Sequence, residues 1–287
     1  MLSVLFALAT AAANALAVTA QHIASTSRRG LSIGRLIAHL VRHPLWWLGW
    51  GGMVASLVGQ ALALHFGPLS LVQPLLVSEL VIALILRRTW LRQSIRPLAW
   101  ASALLTVAAL AGFLVLAAPH APAVAPPSAL RWIVASGASA LVAAGLGAGA
   151  RRGSPRRRAA LFASATAVLW AIEAAFIKAT TDVITSSGYG GLFAHWPVYA
   201  LIVAGIAGLL SEQSALHVGP LQVSQPLIVI VDPLASVVVG VWLFREHLAT
   251  SAPRAPLAGV AFALMALGVV VLSRTAPATM EPASRGD

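Results

Sequence analysis

Two copies of one short sequence decide the fold. Residues 63–77 read ALHFGPLSLVQPLLV and residues 215–229 read ALHVGPLQVSQPLIV, and they are identical at ten of fifteen positions with a constant offset of 152. A second match follows, since Pro-Leu-Ala occurs at residues 97–99 and again at residues 256–258. Agreement of this extent does not arise by chance, even in a chain rich in Ala and Leu. The sequence therefore predicts an internal structural repeat.

The composition around these copies excludes a water-soluble protein. Of the 287 residues, 59% are hydrophobic and only 9% are charged, against roughly 25% charged residues in a soluble domain. The chain has no cysteine, which excludes disulfides, thiolate chemistry and Cys-based zinc sites. A formal net charge of +11 in so apolar a chain usually reflects the basic loops of a membrane protein. We therefore expect no nucleic-acid partner.

Nine stretches are long and apolar enough to cross a bilayer as helices, which takes about 20 residues each. The first lacks the basic start of a signal peptide, so we expect it to be retained. The sequence thus predicts an all-α polytopic protein of the cell membrane with nine transmembrane helices. The predicted spans are residues 3–22, 45–65, 69–86, 97–118, 128–149, 159–178, 196–217, 221–243 and 256–274.

The basic residues divide unequally between the two sets of loops, with fifteen on one side and four on the other. Because cytoplasmic loops carry the excess of Lys and Arg, we predict that the N-terminus lies outside and the C-terminus in the cytoplasm. The basic loops then face anionic lipid headgroups. The richer side holds Arg28, Arg29, Arg35, Arg42, Arg87, Arg88, Arg92, Arg96, Arg151, Arg152, Arg156, Arg157, Arg158, Arg274 and Arg285, and the poorer side holds Arg131, Lys178, Arg245 and Arg254.

This topology predicts that the two repeats are inverted. The Gly67-Pro68 turn faces outside and the Gly219-Pro220 turn faces the cytoplasm, because five spans in the first repeat reverse the second. Inverted repeats are typical of secondary transporters. The predicted units are residues 1–150 (first repeat, five helices), 151–158 (basic cytoplasmic linker), 159–275 (second repeat, four helices) and 276–287 (disordered tail). The segment from Leu31 to His43 reads equally well as an interfacial helix or a solvated basic loop.

Prolines inside the third and eighth spans predict helix breaks at Pro74, Pro226 and Pro233, since proline removes an amide donor. Freed carbonyl groups at membrane depth are tolerated where protein or a water-filled cavity satisfies them. Gln73 and Gln225 directly precede two of these prolines. Their amides either satisfy the broken backbone or contact a substrate.

Two carboxylates, Glu79 and Asp232, fall near the middle of their spans, where each costs about 2.5–3.5 kcal/mol. In the repeat alignment Glu79 corresponds to Val231, one residue before Asp232. Two readings are open for these acids. Either they line a transport cavity and couple transport to protons or cations, or each is a protonated acid that hydrogen-bonds a neighbouring helix.

Further polar and aromatic residues are weaker candidates for the same cavity. Glu173 and Glu212, each five residues from a span end, are candidate vestibule residues, Asn14 is a candidate cavity residue in the first span, and Trp170 either packs or stacks on a substrate. Lys178 and Asp182 have the i, i+4 spacing of an ion pair. Small-residue pairs permit close helix packing or a homodimer, and they are Gly145 with Gly149 and Gly259 with Ala263.

These features together resemble a known family. The basic segment after the first span, the hairpin motif in each half, the Asp-Pro-Leu of the eighth span and the Gly-rich last span look like the drug/metabolite transporter superfamily. Within it, the EamA-like branch near the NIPA-type magnesium transporters is the most similar. The resemblance covers about residues 3–275 and implies alternating access around a midplane site between spans 1, 3, 6 and 8. The superfamily commonly has ten helices, so this chain departs from it by lacking the last.

The function that these observations predict is secondary transport of a small metabolite or amphipathic solute, as proton-coupled export. An alternative is transport of Mg²⁺ or another divalent cation, which prefers oxygen ligands, with Glu79 and Asp232 as metal ligands. A different class is a non-transporting scaffold or lipid-headgroup binder. The sequence contains no Walker loop, metal-binding His pair or nucleophile elbow, so we expect neither an enzyme nor a cofactor.

The unequal distribution of basic residues makes the topology testable. A short epitope tag placed after Asp287 should react with an impermeant reagent only after the cytoplasmic side of the membrane is opened, because the positive-inside rule places the C-terminus there. Labelling is measured in intact and permeabilised cells. Equal labelling in both would contradict the orientation and, with it, the odd number of spans.

Overall fold

The computed structural model describes residues 1–26, 44–121, 126–249, 251 and 253–275, and this part of the chain is helical without any β-strand. Nine spans within it are long and apolar enough to cross a membrane, which confirms a multi-pass membrane protein. The helices are α1 (Leu2–Thr26), α2 (Pro44–Phe66), α3 (Leu69–Leu76), α4 (Glu79–Thr89), α5 (Pro97–Ala117), α6 (Ala129–Gly149), α7 (Pro155–Ser187), α8 (Pro197–Val218), α9 (Leu221–Leu243) and α10 (Arg254–Thr275), with a 3₁₀ helix at Tyr189–Ala194. The segment from Leu31 to His43 and the predicted tail, residues 276–287, lie outside the described residues.

Local capping sets the start of α7 earlier than the sequence predicts. Ser154 accepts a hydrogen bond from the amide of Arg157 (3.4 Å), and Pro155 occupies the first helical position. Both are favoured at a helix start, so α7 begins inside the predicted linker 151–158. At its other end α7 continues to Ser187 and stops at Gly188, where φ is +69°, a value that glycine adopts without strain.

The third span is interrupted shortly after Pro74, because α3 ends at Leu76 and α4 begins at Glu79, with two residues between them. The Ser78 hydroxyl donates to the Leu75 carbonyl (2.7 Å) and so competes with the helical hydrogen-bond pattern. The predicted breaks at Pro226 and Pro233 are wrong, because α9 runs through both prolines. In α9 the position equivalent to Ser78 is Ile230, whose side chain has no hydroxyl group that could donate to a backbone carbonyl.

The two halves use the same helix contacts. α1 packs on α2 and on α3–α4, and α7 packs on α8 and on α9 in the same order, while α5 and α10 pack against each other. Individual contacts repeat at the sequence offset of 152. Gly67 lies against Ser3, and Gly219 lies against the carbonyl of Pro155. Gly59 of α2 approaches Thr10, and the equivalent Ser211 donates to the Phe162 carbonyl (3.0 Å).

The two Gly-Pro turns lie near opposite ends of the long helix α7. The ammonium group of Lys178 is 3.2 Å from the carbonyl oxygen of Gly67, whereas Gly219 contacts the first turn of α7. Roughly 20 residues of α7 separate these contacts, or about 30 Å of helix, which matches the thickness of the hydrocarbon core. We call the two ends of the bundle the Gly67 end and the Gly219 end.

Close helix packing occurs at glycines other than those in the predicted small-residue pairs. A Cβ atom added to Gly268 of α10 would lie 3.0 Å from the amide nitrogen of Thr106 in α5, so the two backbones touch there. By contrast, a Cβ added to Gly145 or Gly259 would meet nothing within 4 Å. The contact between α5 and α10 therefore depends on Gly268.

Gly268→Val should destabilise the protein by about 1–3 kcal/mol or more, because the new side chain must push α5 away from α10. Gly259→Val in the same helix is the matched control and should change stability little, since its surroundings are open. Thermal unfolding of both variants in detergent measures the difference. Equal unfolding temperatures for the two variants would contradict this packing.

Candidate functional site

The break in the third span places Glu79 in contact with α1. Glu79 is the first residue of α4, directly after the two-residue break at Val77 and Ser78. The Asn14 side-chain amide donates to Glu79 Oε2 at 2.8 Å. In the described part of the chain, Oε1 of the same carboxyl group accepts no hydrogen bond, so it can take up a proton or a cation. The structure thus brings together two of the predicted site residues.

The second half contains its own pair of acids. Asp232 lies midway along α9 and accepts a hydrogen bond from the hydroxyl of Ser236 at 3.2 Å. Glu173 of α7 lies within electrostatic range of Asp232. Gly205 of α8 makes room for it, since a Cβ there would lie 3.1 Å from Glu173 Oε1. The second half therefore holds two carboxyl groups in packed membrane-spanning helices, α7 and α9.

The remaining predicted site residues are spread through the bundle. Gln73 is 3% exposed beside Pro74, whereas Gln225 in the second copy is exposed. Glu212 is half-buried towards the Gly219 end and has no hydrogen-bond partner among the described residues. Trp170 lies against Gly208 of α8, in an apolar cluster, and this contact favours a packing role over substrate stacking.

A groove of about 1010 Å³ lies elsewhere, between α6, α7 and α8. None of the predicted site residues lines it. Its wall at the Gly67 end consists of aromatic rings in contact with one another, with the Trp132 and Phe176 centroids 5.5 Å apart and stacked, and with Trp196 5.0 Å from Trp132. Asp182 supplies the one carboxylate of its lining, so the groove is mainly apolar.

The predicted ion pair between Lys178 and Asp182 is not formed in the described structure. The Lys178 ammonium instead donates to the carbonyl groups of Leu64 and Gly67, and Asp182 lies 3.6 Å from Nδ1 of His65. The end of α2 leaves carbonyl groups without helical partners, and a cation there is favoured by the helix dipole. Lys178 therefore ties α7 to the hairpin between α2 and α3.

Sequence reasoning missed Glu246, which is 3% exposed at the Gly67 end. Its carboxylate accepts hydrogen bonds from the amides of Leu69 (2.6 Å) and Ser70 (2.9 Å) and from the Ser70 hydroxyl (2.7 Å). Gly240 leaves space for this carboxylate, since an added Cβ would overlap it. Glu246 thus fixes the loop after α9 to the start of α3.

A sequence signal for Glu246 does exist. It follows a span directly, in a chain in which only 8 residues are acidic. The free amides at the start of α3 were also implied by the Gly67-Pro68 turn, since the first four amides of any helix lack partners. What the sequence does not supply is the approach of residues 176 positions apart.

The chain has a relative of similar length among known proteins. The chain is 28% identical over 279 residues to an uncharacterized protein of Corynebacterium glutamicum, with 96% of each chain covered. No protein-family model matches the chain, and no solved structure is significantly similar to it. The similarity therefore covers nearly the whole chain rather than a part.

Lys178→Met should lower the free energy of unfolding by about 1.5–3 kcal/mol, because it removes a charged donor and leaves two carbonyl groups unpaired. Met retains most of the side-chain length. Arg254→Met, at an exposed position of the same end, is the control and should have little effect. Unfolding temperatures in detergent measure both. An unchanged midpoint for Lys178→Met would contradict the role of Lys178 at the α2 terminus.

Proposed function

We propose that the chain is a secondary transporter of the drug/metabolite transporter type, with EamA-like inverted repeats. It moves a small metabolite or amphipathic solute by alternating access and couples export to protons. The solute binds at mid-membrane among α1, α3–α4, α7 and α9. These four spans contain the two central acids, Glu79 and Asp232.

The observation that carries this proposal is the opposite placement of two matched hairpins on one helix. The Gly67 turn lies beside Lys178 and the Gly219 turn beside Pro155, so equivalent segments occupy opposite ends of α7. The repeated contacts of α1 with α2 and of α7 with α8 support a pseudo-two-fold axis in the membrane plane. Two such halves can exchange conformations, and this exchange opens the centre to either side in turn.

The chemistry of the central acids supports proton coupling. Glu79 has one carboxyl oxygen bonded to Asn14 and one without a partner, so proton binding leaves the Asn14 contact in place. Asp232 has one hydrogen-bonded carboxyl oxygen, Oδ1, and Glu173 lies within electrostatic range of it. Each half of the protein therefore has a group able to gain and lose a proton.

An organic solute is better supported than Mg²⁺. Residues 1–26, 44–121, 126–249, 251 and 253–275 contain no group of three or more His, Asp or Glu side chains able to hold a metal ion. Magnesium needs near-octahedral oxygen coordination. Few charges and many small apolar side chains instead suit a small neutral or amphipathic molecule.

Glu79→Gln or Asp232→Asn should abolish pH-driven uphill transport and leave equilibrium exchange of solute intact, because the amide keeps the shape but cannot titrate. Asp182→Asn, which alters a carboxylate 56% exposed at the Gly67 end, is the matched control and should transport normally. Proteoliposomes loaded at one pH and diluted into another measure uphill transport, with solutes first identified by thermal stabilisation of the parent.

The same stabilisation screen includes Mg²⁺ and other divalent metals. Stabilisation of the parent by Mg²⁺ that is lost in both acid variants would replace the proposed solute with the cation. Parent-like uphill transport by the two single variants and by the double variant would make both carboxyl groups structural and refute proton coupling at these positions.

A further inference from the structure

The loop that carries Glu246 has a structural twin at the opposite end of the bundle. Arg245 and Arg92 both adopt positive φ, at 55° and 51°, which is uncommon for residues other than glycine. The next residue in each loop donates its amide to a carbonyl six positions back, from Glu246 to Gly240 (3.2 Å) and from Gln93 to Arg87 (3.1 Å). Gln93 is therefore the counterpart of Glu246, 153 residues earlier.

The helices that these loops could cap also begin alike. α3 starts after Pro68, at φ −69° and ψ 150°, and α9 starts after Pro220, at φ −71° and ψ 137°. At the Gly67 end, the carboxylate of Glu246 occupies the start of α3. At the Gly219 end, the Gln93 side chain makes no hydrogen bond to any residue that the structure describes. The two loops match in backbone but differ in side-chain charge and in contact.

We propose that Glu246 and Gln93 are the two clamps of the alternating-access cycle. Glu246 closes the Gly67 end by binding the start of α3. In the opposite state it releases α3, and Gln93 closes the Gly219 end by binding the start of α9. This inference rests on the proposed function, because it assigns the closing contacts to a cycle in which the two ends open in turn.

The difference between the clamps sets which state is more populated. A carboxylate accepting backbone amides is bound about twice as strongly as a neutral amide, and the amino end of a helix favours the negative charge further. Lys178 adds an attractive charge near Glu246. The state closed at the Gly67 end is therefore preferred. With the predicted orientation that state faces the cytoplasm, as an exporter awaiting its solute requires.

Other contacts at the Gly67 end belong to the same closed state. The loop after α9 pairs with the loop after α5, since His120 and His247 exchange backbone hydrogen bonds of 3.0 and 2.9 Å. Arg131 at the start of α6 donates to the carbonyl of Trp242 at 3.0 Å. Release of Glu246 would free the start of α3 while these contacts hold the loop, so α3 is the moving part.

Single cysteines report which end is open, because the natural chain has none. Val72→Cys lies two residues beyond Ser70, below the Glu246 clamp, and is 0% exposed. Gln225→Cys lies near the other end, in the segment of α9 that matches the one around Val72, and this position is exposed. Ser186→Cys, at an exposed position of the Gly67 end, is the control for reagent access. Each reporter is placed in the parent, in Glu246→Gln, in Gln93→Glu and in the double variant.

Purified protein in nanodiscs, without solute, is then reacted with a water-soluble maleimide. Glu246→Gln should raise the labelling rate of Val72→Cys about tenfold, the ratio expected when a charged hydrogen-bond acceptor becomes neutral, and should slow the labelling of Gln225→Cys. Gln93→Glu should shift both rates in the same directions, because it strengthens the opposite clamp. The double variant should show the largest change, and Ser186→Cys should label equally in all backgrounds.

Three outcomes would overturn the clamps. Unchanged rates in Gln93→Glu would do so even if Glu246→Gln failed to fold, since the Gln93 side chain makes no hydrogen bond to the residues that the structure describes. A rise at both reporters in Glu246→Gln would indicate general loosening rather than exchange between two closed ends. If the two single variants shifted the labelling rates in opposite directions, Glu246 and Gln93 could not be clamps of opposite ends. None of these readings requires transport, so failure here is separate from loss of proton coupling at Glu79 or Asp232.

Discussion

Backbone groups at the turn between α2 and α3 need partners inside the protein, because hydrocarbon offers none. The Gly67-Pro68 turn ends one helix and starts another, so it leaves free carbonyl groups at the end of α2 and free amides at the start of α3. The Lys178 ammonium donates to carbonyl groups at the end of α2, and the Glu246 carboxylate accepts from the amides at the start of α3. Two charged side chains from distant parts of the chain thus hold this hairpin together. The same span carries the break at residues 77–78, with Glu79 directly after it.

The halves share a backbone plan and differ in a few side chains that decide local outcomes. Ser78 draws the Leu75 carbonyl away from the helix and the third span breaks, while Ile230 has no such group and α9 continues through its prolines. Glu246 binds the start of α3 at the Gly67 end, and Gln93 occupies the equivalent loop position at the Gly219 end. In the proposed cycle, similar backbones with unequal side chains give the two closed states unequal energies.

The apolar groove between α6, α7 and α8 is separate from the central acids. Small residues in the centre let α1, α3–α4, α7 and α9 approach closely around Glu79 and Asp232, where a charge must be neutralised or solvated. Aromatic rings such as those of Trp132 and Trp196 line the groove and pack against each other near the helix ends. The carboxyl groups of Glu79 and Asp232 therefore lie in the middle of the bundle, whereas Lys178 and Glu246 bind the hairpin at the Gly67 end.

The sequence by itself determined the nine spans, the repeat, the break after Pro74 and the candidate acids, because hydrophobic length, proline and isolated charges act over a few residues. The predicted helix breaks at Pro226 and Pro233 were wrong, because α9 lacks a hydroxyl group four residues after Pro226 like that of Ser78 in the third span. The predicted pairing of Lys178 with Asp182 was also wrong, because the Lys178 ammonium donates to helix carbonyl groups instead. Only the tertiary structure joined Asn14 to Glu79 and Glu246 to Ser70. Such pairs lie 65 and 176 residues apart, and a polar group buried in a membrane protein binds whatever partner the packing of helices brings within reach.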